Sequence, residues 1–296
     1  MNLYRNWFLA SRPWSFSMTA ISVSVGSALA AIDGSISWTL YFLALVSAIL
    51  LHAATNLIND YYDVKNSLDT LEVATAQYRP HPLVQGLLPA EQVRWVAYGL
   101  FGLAAAIGFY LTITCGWIVF WIGIIGLLAG LTYTAPPLKY KYVALGELSV
   151  FLMWGPLMVE GAYYVQAQTL SAKAFWVSLP FGTLVALVLL ANNIRDIEHD
   201  RSRDIQTLAI LLGRRYGLYV YLLLMILAYA GILIMALSGT LTWWVLSIFI
   251  TLPLAIKLLR EMVNDVPADA DARTAKLDTA FGLLLVVSLA LEGLIG

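Results

Sequence analysis

Charge is scarce in this chain of 296 residues. Asp, Glu, Lys and Arg together make up 12% of it, about half the share usual in soluble proteins. Apolar residues reach 60% and the mean hydropathy is +0.79. Too few charged side chains are present to cover a soluble globule of this size, and intrinsic disorder is excluded on the same ground. The two signs nearly cancel, 17 Lys and Arg against 18 Asp and Glu, so no basic surface for nucleic acid is expected. A single cysteine, Cys115, excludes an internal disulfide and argues against a thiolate metal cluster. An integral membrane protein remains.

Runs free of charge mark the spans, each needing about 20 apolar residues. They cover 13–32, 34–59, 95–138 (divided near Thr112 to Gly116), 145–166, 174–194, 216–256 (divided at Ser238-Gly239) and 279–296. The expectation is an all-α membrane protein: nine transmembrane helices in one bundle around a central cavity, with polar cap loops on the cytoplasmic side. The first apolar stretch leads into further spans rather than a cleavage site, so no signal peptide is expected. With the N-terminus inside, every Lys and Arg except Lys173 falls on the inner side, which supports both the count and the orientation. Trp14, Trp38, Trp117, Trp176, Trp243 and Trp244 stand near span ends, where indoles anchor at the interface.

Two acidic clusters occupy equivalent places. Asn56, Asp60 and Asp63, followed by Asp69, close span two. Their i, i+4, i+7 spacing puts the first three on one helical face. Asn192, Arg195, Asp196 and Asp200, followed by Asp204, close span six, with the aspartates again on one stripe. The recurrence four spans later hints at a duplication, 12–140 against 145–260, within a single domain over 1–296. Like charges stacked on a helix repel, and near a membrane the cost rises. Divalent cations are the expected counter-charge, and carboxylate and amide oxygens suit hard Mg²⁺. Intramembrane carboxylates would also suit a transporter or channel. Here, however, the acids gather at one membrane face and not at the midplane of spans one to four or six to eight.

Together with the Tyr133-Thr134-Ala135-Pro136-Pro137-Leu138-Lys139 loop after span four, these motifs resemble the UbiA superfamily of intramembrane aromatic prenyltransferases. The resemblance covers nearly the whole chain. Within the superfamily, Asn56 to Asp69 and Asn192 to Gly213 are similar to the 1,4-dihydroxy-2-naphthoate polyprenyltransferases of menaquinone biosynthesis, as are Gly146-Glu147-Leu148 and Gly161 to Gln166. Departures exist: Asn66-Ser67 replaces a frequent Lys-Gly, Asp204 a frequent Gly, and Ile205-Gln206 the place of a frequent basic residue. The 4-hydroxybenzoate, chlorophyll, haem and lipid-ether branches stay open.

The resemblance implies transfer of a polyprenyl group from an allylic diphosphate to an aromatic acceptor inside a lipid membrane. It further implies two Mg²⁺ ions held by Asp60, Asp63, Asp196 and Asp200, with Asp69 and Asp204 as further ligands. Asn56 and Asn192 would support the site. Lys139 is expected to be the best diphosphate contact, followed by Arg195, Arg79 and Arg12. Tyr133, with Tyr61, Tyr62 and Tyr140, could face the allylic cation. The site is expected on the cytoplasmic side of a prokaryotic plasma membrane. His52 and His81 are expected to be packed or solvated rather than acid–base groups, and His199 to point to another helix face than Asp196 and Asp200. Glu160 and Glu292 have no functional account from the sequence.

Overall fold

The computed structural model describes residues 3–71, 75, 78–203 and 205–295. Among them, seven helices are long and apolar enough to cross a bilayer: Leu3–Ile32, Trp38–Lys65, Ala90–Cys115, Gly146–Ala167, Ala172–Arg195, Leu208–Leu237 and Ala270–Ile295. We label α1 (Leu3–Ala10) and α2 (Phe16–Ile32), the two parts of the first span, then α3 (Trp38–Lys65), α4 (Ala90–Cys115), α5 (Trp117–Thr132), α6 (Gly146–Ala167) and α7 (Ala172–Arg195). There follow α8 (Ile197–Arg201), α9 (Leu208–Leu237), α10 (Leu252–Asn264) and α11 (Ala270–Ile295).

The expected fourth and eighth spans take other forms. α5 has 16 residues, about 24 Å at 1.5 Å each, short of a hydrocarbon core of about 30 Å. The eighth begins as a 3-10 stretch, Trp243–Thr251, and becomes α10 at Leu252-Pro253, where proline's missing N–H falls in the first turn. By length and composition seven helices among the described residues therefore qualify as spans, and the expected count of nine is not confirmed. The last span also starts earlier than expected, at Ala270 instead of 279. Of its first charges, Asp271 and Asp278 are buried within the bundle while Arg273 and Lys276 face outward, so the charges do not mark a loop.

Hydroxyl caps set several helix starts. Ser37, Ser171 and Thr207 accept the backbone N–H groups of Leu40, Ala174 and Ile210. The first span breaks at Pro13, which supplies no donor, and Arg12 takes a left-handed conformation there (φ 56°, ψ 58°). α6 contains a widened turn at Met153–Leu157 around Pro156.

α7 is the hub. Phe181, Leu184, Leu187, Leu190 and Ile194 are fully buried against Tyr221 and Ile232 of α9 and Phe281 and Leu285 of α11. A smaller core joins Leu57, Ile58 and Tyr61 of α3 to Val93, Ala97 and Phe101 of α4. Between these cores lies a cavity of about 390 Å³, bounded mainly by α2, α3, α5, α6 and α7. Large apolar side chains such as Trp117, Trp121, Ile234, Trp243 and Ile250 point outward, as lipid requires.

Helix crossings at glycine hold the cavity wall together. A Cβ on Gly26 of α2 would stand 2.2 Å from the Val159 carbonyl oxygen, and one on Gly182 of α7 would stand 2.7 Å from the Gly155 Cα of α6. Gly26→Val should therefore force α2 off α6 and cost about 3 kcal/mol. Gly99→Ala, which meets nothing within 4 Å, should be neutral or slightly stabilising. Thermal melts of the two variants in detergent check both outcomes.

Candidate active site

The two acidic clusters meet. Asn59, Asp63 and Asp69 from the α3 side and Asn192, Asn193, Asp196 and Asp200 from the α7 side line one polar chamber of about 80 Å³. Arg12, Arg79, Lys141, Tyr142 and His199 complete its walls. Arg12, Asn59, Arg79, Lys141 and Asn192 also line the large apolar cavity, so the two spaces adjoin.

α3 carries its carboxylates on the inward face. Asp60 and Asp63 are each 2% exposed. Asp60 is ion-paired with Arg12, which the break at Pro13 swings toward α3. Asp63 receives the Lys141 ammonium at 2.7 Å, the Asn59 amide at 2.9 Å and the Tyr142 hydroxyl. Burial pushes the Tyr142 phenol up, and the charge of Asp63 adds to this. Burial alone would lower the Lys141 ammonium, but the Asp63 charge, joined by Tyr142, Tyr133 and Asp69, prevails and raises it.

His81 joins the α3 side. Its Nε2 and the carboxylates of Asp60 and Asp69 lie within 4.8 Å of one another. The Val84 N–H donates to Nδ1 at 3.4 Å, so the ring proton sits on Nε2 and is given to Asp69 at 3.0 Å. His81 thus orients carboxylates, a more specific task than packing or solvation. Burial alone would raise the Asp69 carboxyl. The His81 hydrogen bond and the Lys141 charge prevail and hold it at about 2.

The α7 side is built differently from the expected single stripe. α7 ends at Arg195, Asp196 leaves helical geometry (φ −92°, ψ 9°), and α8 begins anew. The Asp200 N–H still donates to the Asp196 carbonyl at 2.9 Å, which keeps the two residues one turn apart. His199 lines the chamber, contrary to expectation, with Nε2 3.1 Å from the Leu68 carbonyl oxygen. Arg195 is a fork: it grips Asp196 at 2.6 Å, Asp271 at 2.5 Å and the Asn192 side-chain oxygen at 2.8 Å. Asp204 lies outside the described residues.

Several expected site residues sit elsewhere. Asp60 and Arg195 line neither space and are joined to the chamber through Arg12 and Asp196, which do. Lys139 lines neither space. It occupies a left-handed turn (φ 46°), and the 3-10 turn that follows carries Lys141 into the chamber instead. Asn56 faces only the large cavity, and its amide donates to the Ser11 carbonyl at 3.0 Å. Trp14, expected as an interface anchor, lies under the Arg79 guanidinium at 5.5 Å. Tyr133 lines the large cavity, edge-on to Tyr140 with ring centres 5.3 Å apart, and burial pushes its phenol up.

Sequence reasoning passed over Lys141, Tyr142, Asn193 and Asp271. Asp271 anchors Arg195, takes the Tyr78 hydroxyl at 2.5 Å and stands 3.6 Å from Arg79. Its signal was the i, i+7 spacing with Asp278, which puts the two acids on one helical face. Far from the chamber, Glu292 accepts from Lys173 at 2.9 Å and from the Thr242 N–H, while Glu160 accepts from the Ser171 N–H. Both acids tie helix ends.

Three loops close the chamber. The Gln206 N–H donates to the Tyr142 carbonyl at 3.1 Å, His199 meets Leu68, and Arg203 donates to the Ser67 carbonyl.

The chain matches the UbiA prenyltransferase family over residues 19–285. It belongs to that family. It is 29% identical to the 1,4-dihydroxy-2-naphthoate octaprenyltransferase of Bacillus subtilis, over 94% of this chain and 90% of that one. It is 33% identical to the human UbiA prenyltransferase domain-containing protein 1, over 97% of this chain and 83% of that one. A UbiA homologue from Archaeoglobus fulgidus, solved bound to DMAPP and Mg²⁺, shares the fold at a TM-score of 0.62 and 16% identity, covering 95% of this chain and 99% of that one. This UbiA protein is thus an all-helical membrane protein of a transferase family.

The chamber's donor set fits a hard divalent cation. Carboxylate and amide oxygens converge there. Among the described residues, Asp200 has no cationic partner, and burial, then the neighbouring Asp196 carboxylate, push its carboxyl up to about 6. A folded-state value above the unfolded one means that the metal-free fold loses stability as pH rises from about 4 through about 6. Asp200→Asn should therefore stabilise the metal-free protein at pH 8 by about 1–3 kcal/mol, with no difference below pH about 4. The same variant should shrink the rise in melting temperature that millimolar Mg²⁺ gives the parent. Melts across pH, with and without Mg²⁺, read both effects.

Proposed function

We propose that this protein transfers a polyprenyl group from an allylic polyprenyl diphosphate to an aromatic acceptor, 1,4-dihydroxy-2-naphthoate, in the menaquinone branch of the family. The observation that carries the reading is the junction of a charged chamber with an apolar cavity. A prenyl diphosphate has those same two halves, and its reacting carbon lies where they meet. The similarity to the Bacillus subtilis naphthoate enzyme supports the choice of acceptor.

Asp60, Asp63, Asp196 and Asp200 would hold two Mg²⁺ ions, with Asp69 and Asp204 as further ligands. The metal-bound state of the Archaeoglobus fulgidus homologue supports the use of such an ion. When bound, Mg²⁺ supplies charge neutralisation for the diphosphate leaving group. Arg12, Lys141 and Arg195 now sit on carboxylates. Were those carboxylates to hold metal, the three cations would be free to contact phosphate oxygens. Arg195 brings a planar fork, and Lys141 brings a point charge close to two tyrosine rings. Asn192 and Arg79 stand at the mouth between the two spaces and orient the diphosphate. The apolar walls keep water from the allylic cation, and the faces of Tyr133 and Tyr140 stabilise it. We place the chamber at the cytoplasmic face of a prokaryotic plasma membrane, where the basic residues accumulate.

Purified protein given labelled geranylgeranyl diphosphate, Mg²⁺ and either 1,4-dihydroxy-2-naphthoate or 4-hydroxybenzoate tests the reading. A metal-dependent, decarboxylated prenyl-naphthoate is the expected product. Asp60→Ala and Asp196→Ala should each lower the rate by about 10²-fold or more. Lys141→Ala should raise KM for the diphosphate about 10-fold, and Lys139→Ala should leave it within about twofold. Product from 4-hydroxybenzoate alone would move the protein to another branch. No product with either acceptor would overturn the assignment.

A further inference from the structure

One buried group beside the site has no part in the chemistry above. His52 lies on α3 at i−4 from Asn56 and i−8 from Asp60, on the wall of the large cavity, and is 7% exposed. Its nitrogens are both taken by hydroxyls: Nδ1 is 2.8 Å from Thr19 Oγ1 and Nε2 is 3.2 Å from Ser15 Oγ. Trp154 and Phe16 pack edge-on to the ring, with centres at 4.9 and 5.6 Å. Neither nitrogen is free for a substrate.

The hydrogen bonds admit one consistent direction. Ser15 Oγ donates to the Arg12 carbonyl at 2.7 Å and accepts the Asn56 amide at 3.2 Å. A hydroxyl has one proton and two lone pairs, so the second lone pair takes the Nε2–H of His52. Nδ1 is then bare and accepts the Thr19 hydroxyl. Thr19 in turn accepts the Trp154 indole N–H at 3.1 Å. The relay ends on Arg12, whose left-handed backbone is unfavourable for a residue with a side chain. Ser15 N–H holds the same carbonyl at 2.9 Å, and Asn56 holds that of Ser11. This clamped turn aims the Arg12 guanidinium at Asp60.

We propose that His52 is a positioning residue for Arg12: a neutral imidazole that, through Ser15, fixes the break in the first span and so sets how firmly Arg12 grips the diphosphate. The proposal rests on the prenyl-transfer reading, in which Arg12 meets that group.

The two amide substitutions separate this role from packing. A glutamine amide reaches the place of Nε2, whereas an asparagine amide reaches only that of Nδ1. His52→Gln therefore keeps the bond to Ser15, and His52→Asn keeps only the bond to Thr19. The experiment is titration of the purified protein with geranyl diphosphate in Mg²⁺, together with steady-state KM and kcat. His52→Asn should weaken diphosphate binding and raise its KM about 10-fold, with kcat within about threefold. His52→Gln should recover most of the affinity. Ser15→Ala should match His52→Asn, which covers the case of a His52 variant that fails to fold. In an Arg12→Ala background, His52→Asn should cause no further loss. Wild-type affinity in both His52→Asn and Ser15→Ala would overturn the proposal. So would equal losses for Asn and Gln, or an undiminished loss without Arg12. Failure of the parent protein to bind geranyl diphosphate at all would instead remove the prenyl-transfer reading beneath it.

Discussion

Negative charge gathered in a buried space is the constraint on which this end of the molecule depends. Asp60, Asp63, Asp69, Asp196 and Asp200 converge from two helices and the segments that follow them. Left unpaired out of water, each would cost several kcal/mol. The chain answers with partners drawn from separate places: the cations Arg12 from a broken first helix, Lys141 from the loop after α5 and Arg195 from the end of α7, and the Nε2–H donor His81 from the loop after α3. The Arg12–Asp60, Lys141–Asp63 and Arg195–Asp271 pairs are therefore also tertiary ties. The loop contacts at Tyr142, Leu68 and Ser67 are a consequence, because these segments must arrive together for the charges to be met.

The same constraint explains one of the two buried acids near the start of α11, Asp271. Arg195 touches Asp196 and Asn192 on its own helix but has a third partner in Asp271. Asp271 thus holds Arg195 against Asp196, which lines the chamber, and its hydrogen bond from Tyr78 brings in the segment that carries Arg79. Asp278, two turns further along, has neither an ion pair nor a hydrogen bond among the described residues and is 0% exposed. The contrast divides the helix into a part that serves the charge network and a part that serves the apolar core of Phe181 and Phe281.

How much of this was legible in the sequence follows from what each feature depends on. The helices were legible because hydropathy is a local property and the bilayer demands long apolar runs. The shortness of α5 and the 3-10 winding before α10 were not, because residues 95–138 and 216–256 read as continuous apolar text. The acidic clusters stood out, since charge is rare here and its spacing fits a helix. Which cation met which acid was hidden. Lys139 and Lys141 differ in sequence by two positions, and only the left-handed turn at Lys139 decides which one enters the chamber. Asp271 was read as loop because a charge ordinarily ends a span. Its burial depends on Arg195, 76 residues earlier in the chain. His52 and Ser15 were equally hidden, since their link crosses from α3 to the turn before α2.

A site saturated with internal ion pairs carries a further consequence for binding. In the metal-free arrangement Asp60, Asp63 and Asp196 are each neutralised by a side chain of the protein itself. A diphosphate arriving alone would have to take those cations from their carboxylates and leave buried anions behind. A divalent cation arriving alone would take the carboxylates and leave buried cations. Either event is weakened, because one partner of a buried pair is stranded, and a cation alone has only the unpaired Asp200 to take without disturbing a pair. Arriving together, the two charges of the ligand replace both halves of every pair at once. On the proposed prenyl-transfer reading, the arrangement would favour joint binding of metal and diphosphate over either alone, with charge balance supplying the coupling.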